Sequence, residues 1–182
     1  MGVLFVCTGN QCRSPMAAAL LRARLRQVGT PVTVASAGFA TEGRPAPPEV
    51  LDAMGAVGLD LSGHRSRLVT PALLEGADLV LGMTRQHVID LTLLAPPTWD
   101  RCFTLADVVR RGESADPRLP SESLRQWARR LSAGRTRASL LKLPASDDVP
   151  DPMGGRPADY ERARDDLARL TARLGARLSP SA

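Results

Sequence analysis

The segment 3–16, VLFVCTGNQCRSPM, constrains this chain more than any other stretch. Its first four residues are apolar and either β-branched, aromatic or leucine, which predicts a short, buried parallel strand. From Pro15 onward the residues are strong helix formers, with Ser14 suited to the N-cap and Pro15 to the first helical position. The short loop between strand and helix would direct its N–H groups and the helix dipole into one concavity, which is typical of sites for phosphate-like anions.

Two reactive side chains flank this loop. Cys7 precedes the predicted helix N-terminus and is close in sequence to a cation, a setting in which a cysteine ionises readily, so we expect a thiolate. Arg13 offers a planar fork that can hold two phosphoryl oxygens at once. A thiolate facing a phosphate held in this way is the geometry for in-line transfer of the phosphoryl group to sulfur. The alternative, a buried structural cysteine, fits the surrounding strand–loop–helix pattern less well.

Strand and helix patterns alternate along the rest of the chain. Strand patterns lie at 3–6, 32–36, 78–83 and 101–104. Helix patterns lie at 14–27, 48–57, 85–94, 105–111 and 121–131, with short ones from Thr70 and a last helix from Pro157. This alternation predicts a three-layer α/β fold with a doubly wound, four-stranded parallel sheet. The N-terminal phosphate-binding loop then lies at the carboxyl end of a strand, where such sheets bind ligands.

Residues 7–14, CTGNQCRS, resemble the C-x5-R-S phosphate loop of the low-molecular-weight protein-tyrosine phosphatases. The resemblance continues in the family's order at Ser36-Ala37-Gly38, His64-Arg65-Ser66, 77–83 and 148–152. It implies a cysteine-dependent phosphatase in which Cys7 attacks phosphorus and forms a phosphocysteine intermediate. Arg13 and the loop residues would bind the phosphoryl oxygens; those loop residues are Thr8, Gly9, Asn10, Gln11, Cys12 and Ser14.

The resemblance also assigns a general acid and base. Asp151, followed by Pro152, matches the Asp-Pro loop of the family and would protonate the leaving group and then activate water. Taken alone, the Asp-Pro pair would indicate only a turn before the last helix. Asp148 is the competing carboxylate, which we interpret as a residue that shapes the loop.

Several residues are expected to support the phosphate loop. Ser14 should donate its hydroxyl to the Cys7 sulfur and ease departure of the thiolate. The resemblance places Asn10, Ser36 and His64 in a hydrogen-bond network that holds the loop. Cys12 has two compatible interpretations, since it can pack as a small apolar side chain or trap an oxidised Cys7 as a disulfide, which would make the enzyme redox-regulated.

His87, on the predicted helix 85–94, is interpreted as a surface or packing residue.

Three positions bear on the substrate, and they depart from the pattern of tyrosine-directed family members. Gln11 and Met153 stand where those members usually carry an aliphatic and an aromatic residue, and Phe39 is the one aromatic near residue 36. We expect phosphotyrosine on proteins, with phosphoarginine as the alternative because Gln11 could bond a guanidinium. A redox-sensing or phosphate-binding module without turnover is a weaker alternative. Arsenate reductases share the scaffold that the resemblance implies, but they need further cysteines downstream to resolve the oxidised nucleophile. Cys102 has no partner cysteine nearby in sequence, so arsenate reduction is discounted.

Length and composition predict one domain over 1–182. Its longer-than-usual insertion at 112–147 is basic, with Arg129, Arg130, Arg135, Arg137 and Lys142. This insertion is either a docking surface for an acidic partner or, more simply, a solvated segment. The net charge of +5 fits acidic partners, but aromatic residues make up only 3% and no nucleic-acid motif is present, so nucleic acid is not expected as a partner.

The sequence also bears on cellular location, on bound metals and on partners. No apolar run approaches the ~20 residues of a membrane span, and no secretory signal opens the chain, so we expect a cytoplasmic protein. Three cysteines and two histidines make neither a disulfide framework nor a metal site, and no metal or cofactor is expected. The expected partner is a phosphorylated protein, and the expected assembly is a monomer or weak dimer.

Overall fold

One parallel sheet organises the molecule, for which a computed structural model describes residues 2–179. Its order is β2-β1-β3-β4, with β1 at Val3–Cys7, β2 at Val34–Gly38, β3 at Leu79–Gly82 and β4 at Cys102–Thr104. The chain passes from one side of β1 to the other between β2 and β3. The switch point therefore lies at the carboxyl end of β1, where such sheets bind ligands. The predicted four-stranded parallel α/β fold is confirmed.

Helices cover both faces of the sheet. They are α1 (Arg13–Gln27), α2 (Pro48–Gly55), α3 (Pro71–Gly76), α4 (Arg85–Leu94), α5 (Leu105–Ser114), α6 (Leu124–Leu131) and α7 (Pro157–Leu178), with 3₁₀ turns at Pro96–Arg101, Arg137–Lys142 and Ala145–Asp147. Successive strand residues point to opposite faces. Phe5 and Leu81 pack with α1, α5 and α7, whereas Leu4 and Val80 pack with α3 and α4. Two apolar layers thus enclose the sheet.

The boundaries around the phosphate loop differ from those predicted. Helix α1 begins at Arg13, and Cys12 occupies the N-cap position without a capping side chain, so Ser14 is not the N-cap. Its hydroxyl points back to the Cys7 sulfur instead. Strand β2 runs two residues further than predicted because Gly38 pairs with Cys7 at the end of β1. This extra pairing places β2 directly beside the phosphate loop.

The insertion at 112–147 is folded onto the body of the molecule through its arginines. Arg125 donates to Asp78 Oδ1 and to the carbonyl of Ala77, each at 3.1 Å. Three further arginines bond to the segment before and within β4: Arg129 to Asp100, Arg135 to the Cys102 carbonyl and Arg137 to the Pro96 carbonyl. Most of the basic side chains that suggested a docking surface therefore form hydrogen bonds that hold the insertion against the rest of the protein.

Arg135 is the most deeply buried of these arginines. It is 7% exposed, and its guanidinium lies 4.1 Å from the centre of the Phe103 ring. Burial lowers the pKa of Arg135 to about 10, which leaves it charged at neutral pH. The cation is thus part of the core around β4, and it is removed from any surface that could attract an acidic partner.

We infer that the insertion and the body form one domain, with the ends of the predicted range 1–182 lying outside the described residues. Calorimetry is expected to give one transition with equal van't Hoff and calorimetric enthalpies. The substitution Arg125→Gln should lower the Tm of this single transition by about 2–4 °C for each kcal/mol of hydrogen bonding that is lost. Arg162→Gln, on the exposed face of α7, serves as control. A separate low-temperature transition in Arg125→Gln would contradict the single domain.

Gly38 is required by the close approach of β2 to the phosphate loop. A Cβ there would lie 2.6 Å from the Asn10 backbone nitrogen and 2.7 Å from the Thr8 carbonyl oxygen. Because both are backbone atoms, we expect Gly38→Ala to cost about 1–3 kcal/mol and to displace the loop. Thermal unfolding checks this against Gly55→Ala, whose Cβ meets nothing within 4 Å. Equal Tm values for the two variants would show that the approach is not a constraint.

Candidate active site

The loop between β1 and α1 is held around a buried asparagine. Asn10 has φ of 50° and is fully buried, so its left-handed backbone is fixed by its own side chain. Its Nδ2 donates to Ser14 Oγ at 2.9 Å, and its Oδ1 accepts from the Arg67 backbone N–H at 3.0 Å. Its carbonyl oxygen lies 2.6 Å from His64 Nε2. These contacts bring Asn10 and His64 together at the loop.

Ser36 reaches this network through its backbone. Its carbonyl accepts from Arg67 Nε at 2.7 Å, and Arg67 in turn bonds to Asn10. Two side chains to which no supporting role was assigned from the sequence, Thr41 and Ser66, also make contacts around the loop. Thr41 Oγ1 donates to the Gly9 carbonyl at 2.6 Å, and the buried Ser66 hydroxyl accepts from the Arg44 backbone N–H at 3.0 Å. A lone Thr or Ser in a Gly- and Pro-rich loop carries no signal of such a contact.

Cys7 ends β1 at the floor of the site. Its Sγ lies 3.0 Å from Ser14 Oγ, within hydrogen-bond distance for a sulfur. Ser14 Oγ accepts from Asn10, which leaves its hydroxyl hydrogen for the sulfur or for the Ala37 carbonyl at 3.3 Å. The hydroxyl that we expected to stabilise the thiolate is therefore in contact with it.

Arg13 and Asp151 meet although they are 138 residues apart in sequence. Arg13 Nη2 donates to Asp151 Oδ2 at 2.5 Å, and Nη1 donates to the Val149 carbonyl at 3.2 Å. The arginine is 4% exposed, whereas the side chain of Asp151 is 43% exposed. Both line a cavity of about 30 Å³ together with Cys7. The predicted nucleophile, phosphate clamp and acid thus share one cleft.

The segment before Asp151 is fastened to the turn that follows β3. The Val149 N–H donates to the Met83 carbonyl at 2.8 Å, and Asp148 Oδ1 accepts from the Arg85 N–H at 2.7 Å. Asp148 therefore bonds to the first residue of α4, where the helix dipole favours a negative charge. This contact agrees with its interpretation as a residue that shapes the loop.

Cys12 also lines the cavity but is 3% exposed. Burial, with a smaller contribution from Cys7, raises the pKa of Cys12 to about 12. Its thiol is therefore protonated at neutral pH and is a weak nucleophile. This state favours the packing interpretation of Cys12 over attack on an oxidised Cys7.

The three predicted selectivity residues occupy different places. Gln11 and Met153 line the cavity, and Gln11 Nε2 donates to the Pro45 carbonyl at 3.0 Å. Met153 is 47% exposed at the rim. Phe39 packs against the ring of His87, with centroids 6.0 Å apart and an angle of 11° between the planes. It does not belong to the cavity lining, and its role in substrate selectivity stays a prediction.

His87 is the residue whose position the sequence analysis left undecided between surface and packing. It is 7% exposed, and its Nε2 lies 3.0 Å from Thr8 Oγ1 on the phosphate loop. Burial, and next the charge of Arg13, lower the pKa of His87 to about 4, so the ring is neutral at pH 7. Its position near the carboxyl end of a central strand was a signal that could have identified it.

Comparisons with known proteins agree with this geometry. The family model for "Low molecular weight phosphotyrosine protein phosphatase" matches residues 2–134. A protein-arginine-phosphatase of Bacillus subtilis is 33% identical, with 98% of this chain and 97% of that protein covered. The low molecular weight protein-tyrosine-phosphatase Etp of Escherichia coli K12 is 32% identical, covering 71% of this chain and 94% of its own.

Solved structures give the same result. The YwlE arginine phosphatase, in a cysteine-to-serine mutant with a phosphorylated active-site serine, superposes with a TM-score of 0.75 at 32% identity, covering 98% of this chain and 95% of its own. The low molecular weight protein tyrosine phosphatase from T. tengcongensis gives 0.73 at 33% identity over 96% and 97%. The predicted family is confirmed: the chain belongs to the low molecular weight phosphotyrosine protein phosphatases and is a cysteine-dependent phosphatase.

Proposed function

We propose that Cys7, Arg13 and Asp151 hydrolyse a phosphorylated side chain in two steps. The family model ends at residue 134, so the role of Asp151 rests on its contact with Arg13 and on the cavity that both share with Cys7. In the first step the Cys7 thiolate attacks phosphorus, and a sulfur–phosphorus bond forms. The bond to the leaving group breaks, and Asp151 gives its proton to the departing atom.

In the second step the protein recovers its starting state. Asp151, now a carboxylate, takes a proton from water, and the water oxygen attacks phosphorus while the bond to sulfur breaks. Inorganic phosphate and the Cys7 thiolate result. The Ser14 hydroxyl, 3.0 Å from the sulfur, stabilises the negative charge that returns to it. Arg13 and the loop N–H groups hold the equatorial oxygens throughout.

We propose phosphoarginine on proteins as the substrate, in place of the phosphotyrosine expected from the sequence. The observation that carries this proposal is the orientation of Gln11 at the cavity. Its Nε2 bonds to the Pro45 carbonyl, and its Oε1 lies 3.4 Å from where a Cβ on Gly9 would stand. Because Gly9 and Gln11 both line the cavity, we propose that this oxygen accepts from a guanidinium N–H there. The similarity to protein-arginine-phosphatases over 98% of the chain supports the same choice.

Phosphotyrosine is the second candidate. Met153 exposes an apolar side chain at the rim, which could pack on a phenyl ring. Several similar proteins are tyrosine phosphatases, including Etp and Wzb. Against this, Phe39 packs on His87, and the cavity lining has no aromatic residue among the described ones.

We propose that the protein acts in the cytoplasm on phosphorylated proteins, as a monomer or weak dimer. A thiolate nucleophile needs a reducing compartment, and the three cysteines are free thiols in the described structure. Within residues 2–179, no helix is both long and apolar enough to cross a membrane.

The catalytic roles are tested by hydrolysis of phosphoarginine and phosphotyrosine peptides without added metal. Cys7→Ser should abolish turnover of both. Asp151→Asn keeps the shape of the side chain but has no acidic proton, so its kcat should fall about 10²–10⁴-fold. Asp148→Asn, in the same loop, is the matched control and should lower kcat far less. Equal losses in the two Asp variants would refute Asp151 as the acid, and full activity of Cys7→Ser would refute the mechanism.

The substrate is tested by replacing the cavity amide with an apolar side chain of similar size. In wild type, kcat/KM for phosphoarginine should exceed that for phosphotyrosine. In Gln11→Leu, the ratio of kcat/KM for phosphoarginine to kcat/KM for phosphotyrosine should fall about tenfold, because the guanidinium N–H groups then lose a hydrogen-bond partner. Met153→Leu, at the same rim, should keep the wild-type ratio. A wild type that hydrolyses phosphotyrosine alone would establish the second candidate.

A further inference from the structure

We propose that His87 is a positioning residue that holds Thr8 as a second hydrogen-bond acceptor for the guanidinium group of the substrate. This inference rests on the proposed phosphoarginine activity and adds to it a residue outside the catalytic set. Its basis is a buried ring that is fixed on several sides and bonds to an exposed hydroxyl on the phosphate loop.

The His87 ring has little freedom to turn. Its Nδ1 lies 2.9 Å from Thr84 Oγ1, and the same hydroxyl caps α4 by accepting from the His87 backbone N–H at 3.2 Å. Phe39 stacks on one face of the ring. The second ring nitrogen, Nε2, is thereby directed at Thr8 Oγ1, 3.0 Å away.

Thr8 is fixed at its backbone and exposed at its side chain. Its carbonyl accepts from the N–H groups of Phe39 at 2.7 Å and Ala40 at 3.0 Å. The residue follows Cys7 directly and is exposed, whereas its partner His87 is buried. A hydrogen bond from the buried His87 therefore fixes the hydroxyl of an exposed threonine that lies between Cys7 and the cavity-lining Gly9 in the chain.

The hydroxyl keeps a lone pair for the substrate in either tautomer of the neutral ring. If Nε2–H donates to Thr8, the oxygen retains its second lone pair; if Thr8 donates to Nε2, both lone pairs stay available. The bridging atom of phosphoarginine is a nitrogen within a group of N–H donors. The bridging atom of phosphotyrosine is an ether-like oxygen without a proton. An acceptor that Thr8 presents to the substrate on this loop therefore discriminates between the two substrates.

Thr8 and Gln11 are anchored on different sides of the loop. Gln11 bonds to the Pro45 carbonyl in the segment before α2, whereas Thr8 bonds to His87 on α4. A guanidinium presents N–H groups on more than one edge. Two acceptors held on separate supports can thus contact it from two directions, which a single amide cannot do.

The test compares KM for phosphoarginine and phosphotyrosine in wild type and variants. Thr8→Val keeps the β-branched shape but removes the hydroxyl, and it should raise KM for phosphoarginine about fivefold more than KM for phosphotyrosine. His87→Phe keeps a ring for Phe39 and should change the ratio equally. Because His87 acts through Thr8, the double variant should change the ratio no further than Thr8→Val alone. Thr8→Ser should restore the wild-type ratio.

Thr41→Val is the matched control, since the Thr41 hydroxyl supports the same loop by bonding to the Gly9 carbonyl and to Ser66; it should affect both KM values alike. If His87→Phe does not fold, His87→Leu, which likewise cannot bond to Thr8, takes its place. An unchanged ratio in Thr8→Val, or additive effects in the double variant, overturns this inference while leaving phosphoarginine turnover by wild type intact. A wild type that does not hydrolyse phosphoarginine overturns the proposed substrate and this inference together.

Discussion

The buried side chain of Asn10 is the interaction on which the site depends. A left-handed residue inside a phosphate-binding loop is unfavourable for most side chains, and asparagine tolerates it best after glycine. Here both ends of the amide are bonded, to Ser14 on α1 and to Arg67 beside β2. One side chain therefore connects the helix that carries Arg13 to the strand that pairs with Cys7. Without it, the loop would lose its bonds to both Ser14 and Arg67.

The order of the elements was predictable because hydrophobic period and turn residues are local. The strand of Val3–Cys7, the helix after it and the start of the last helix at Pro157 follow from such patterns. The first residue of α1 was not predictable from such patterns, because the Ser14 hydroxyl contacts the Cys7 sulfur and does not cap the helix. Capping rules describe a helix by itself and cannot include a tertiary contact.

The site was predictable as a set of residue types, but not in its supports. Cys7, Arg13 and Asp151 follow from motif and resemblance, and the structure brings them into one cavity. The supports Thr41 and Ser66 depend on how the loop before α2 folds back, which no spacing reveals. The stacking of Phe39 on His87 was unpredictable for a related reason, because it depends on the packing of α4 against the loop after β2.

The arginines of the insertion have a chemical consequence. Lys142 is the only lysine of the chain, so its other permanently charged basic side chains are arginines. The hydrogen bonds to Asp78, Asp100 and the Cys102 carbonyl are therefore all made by guanidinium groups. Acylating reagents and acetylating enzymes modify amines and leave guanidinium groups charged. The one lysine is exposed in the 3₁₀ turn of the insertion, away from these hydrogen bonds. Amine-directed labelling can therefore place a single side-chain probe on the molecule without weakening the bonds that hold it together.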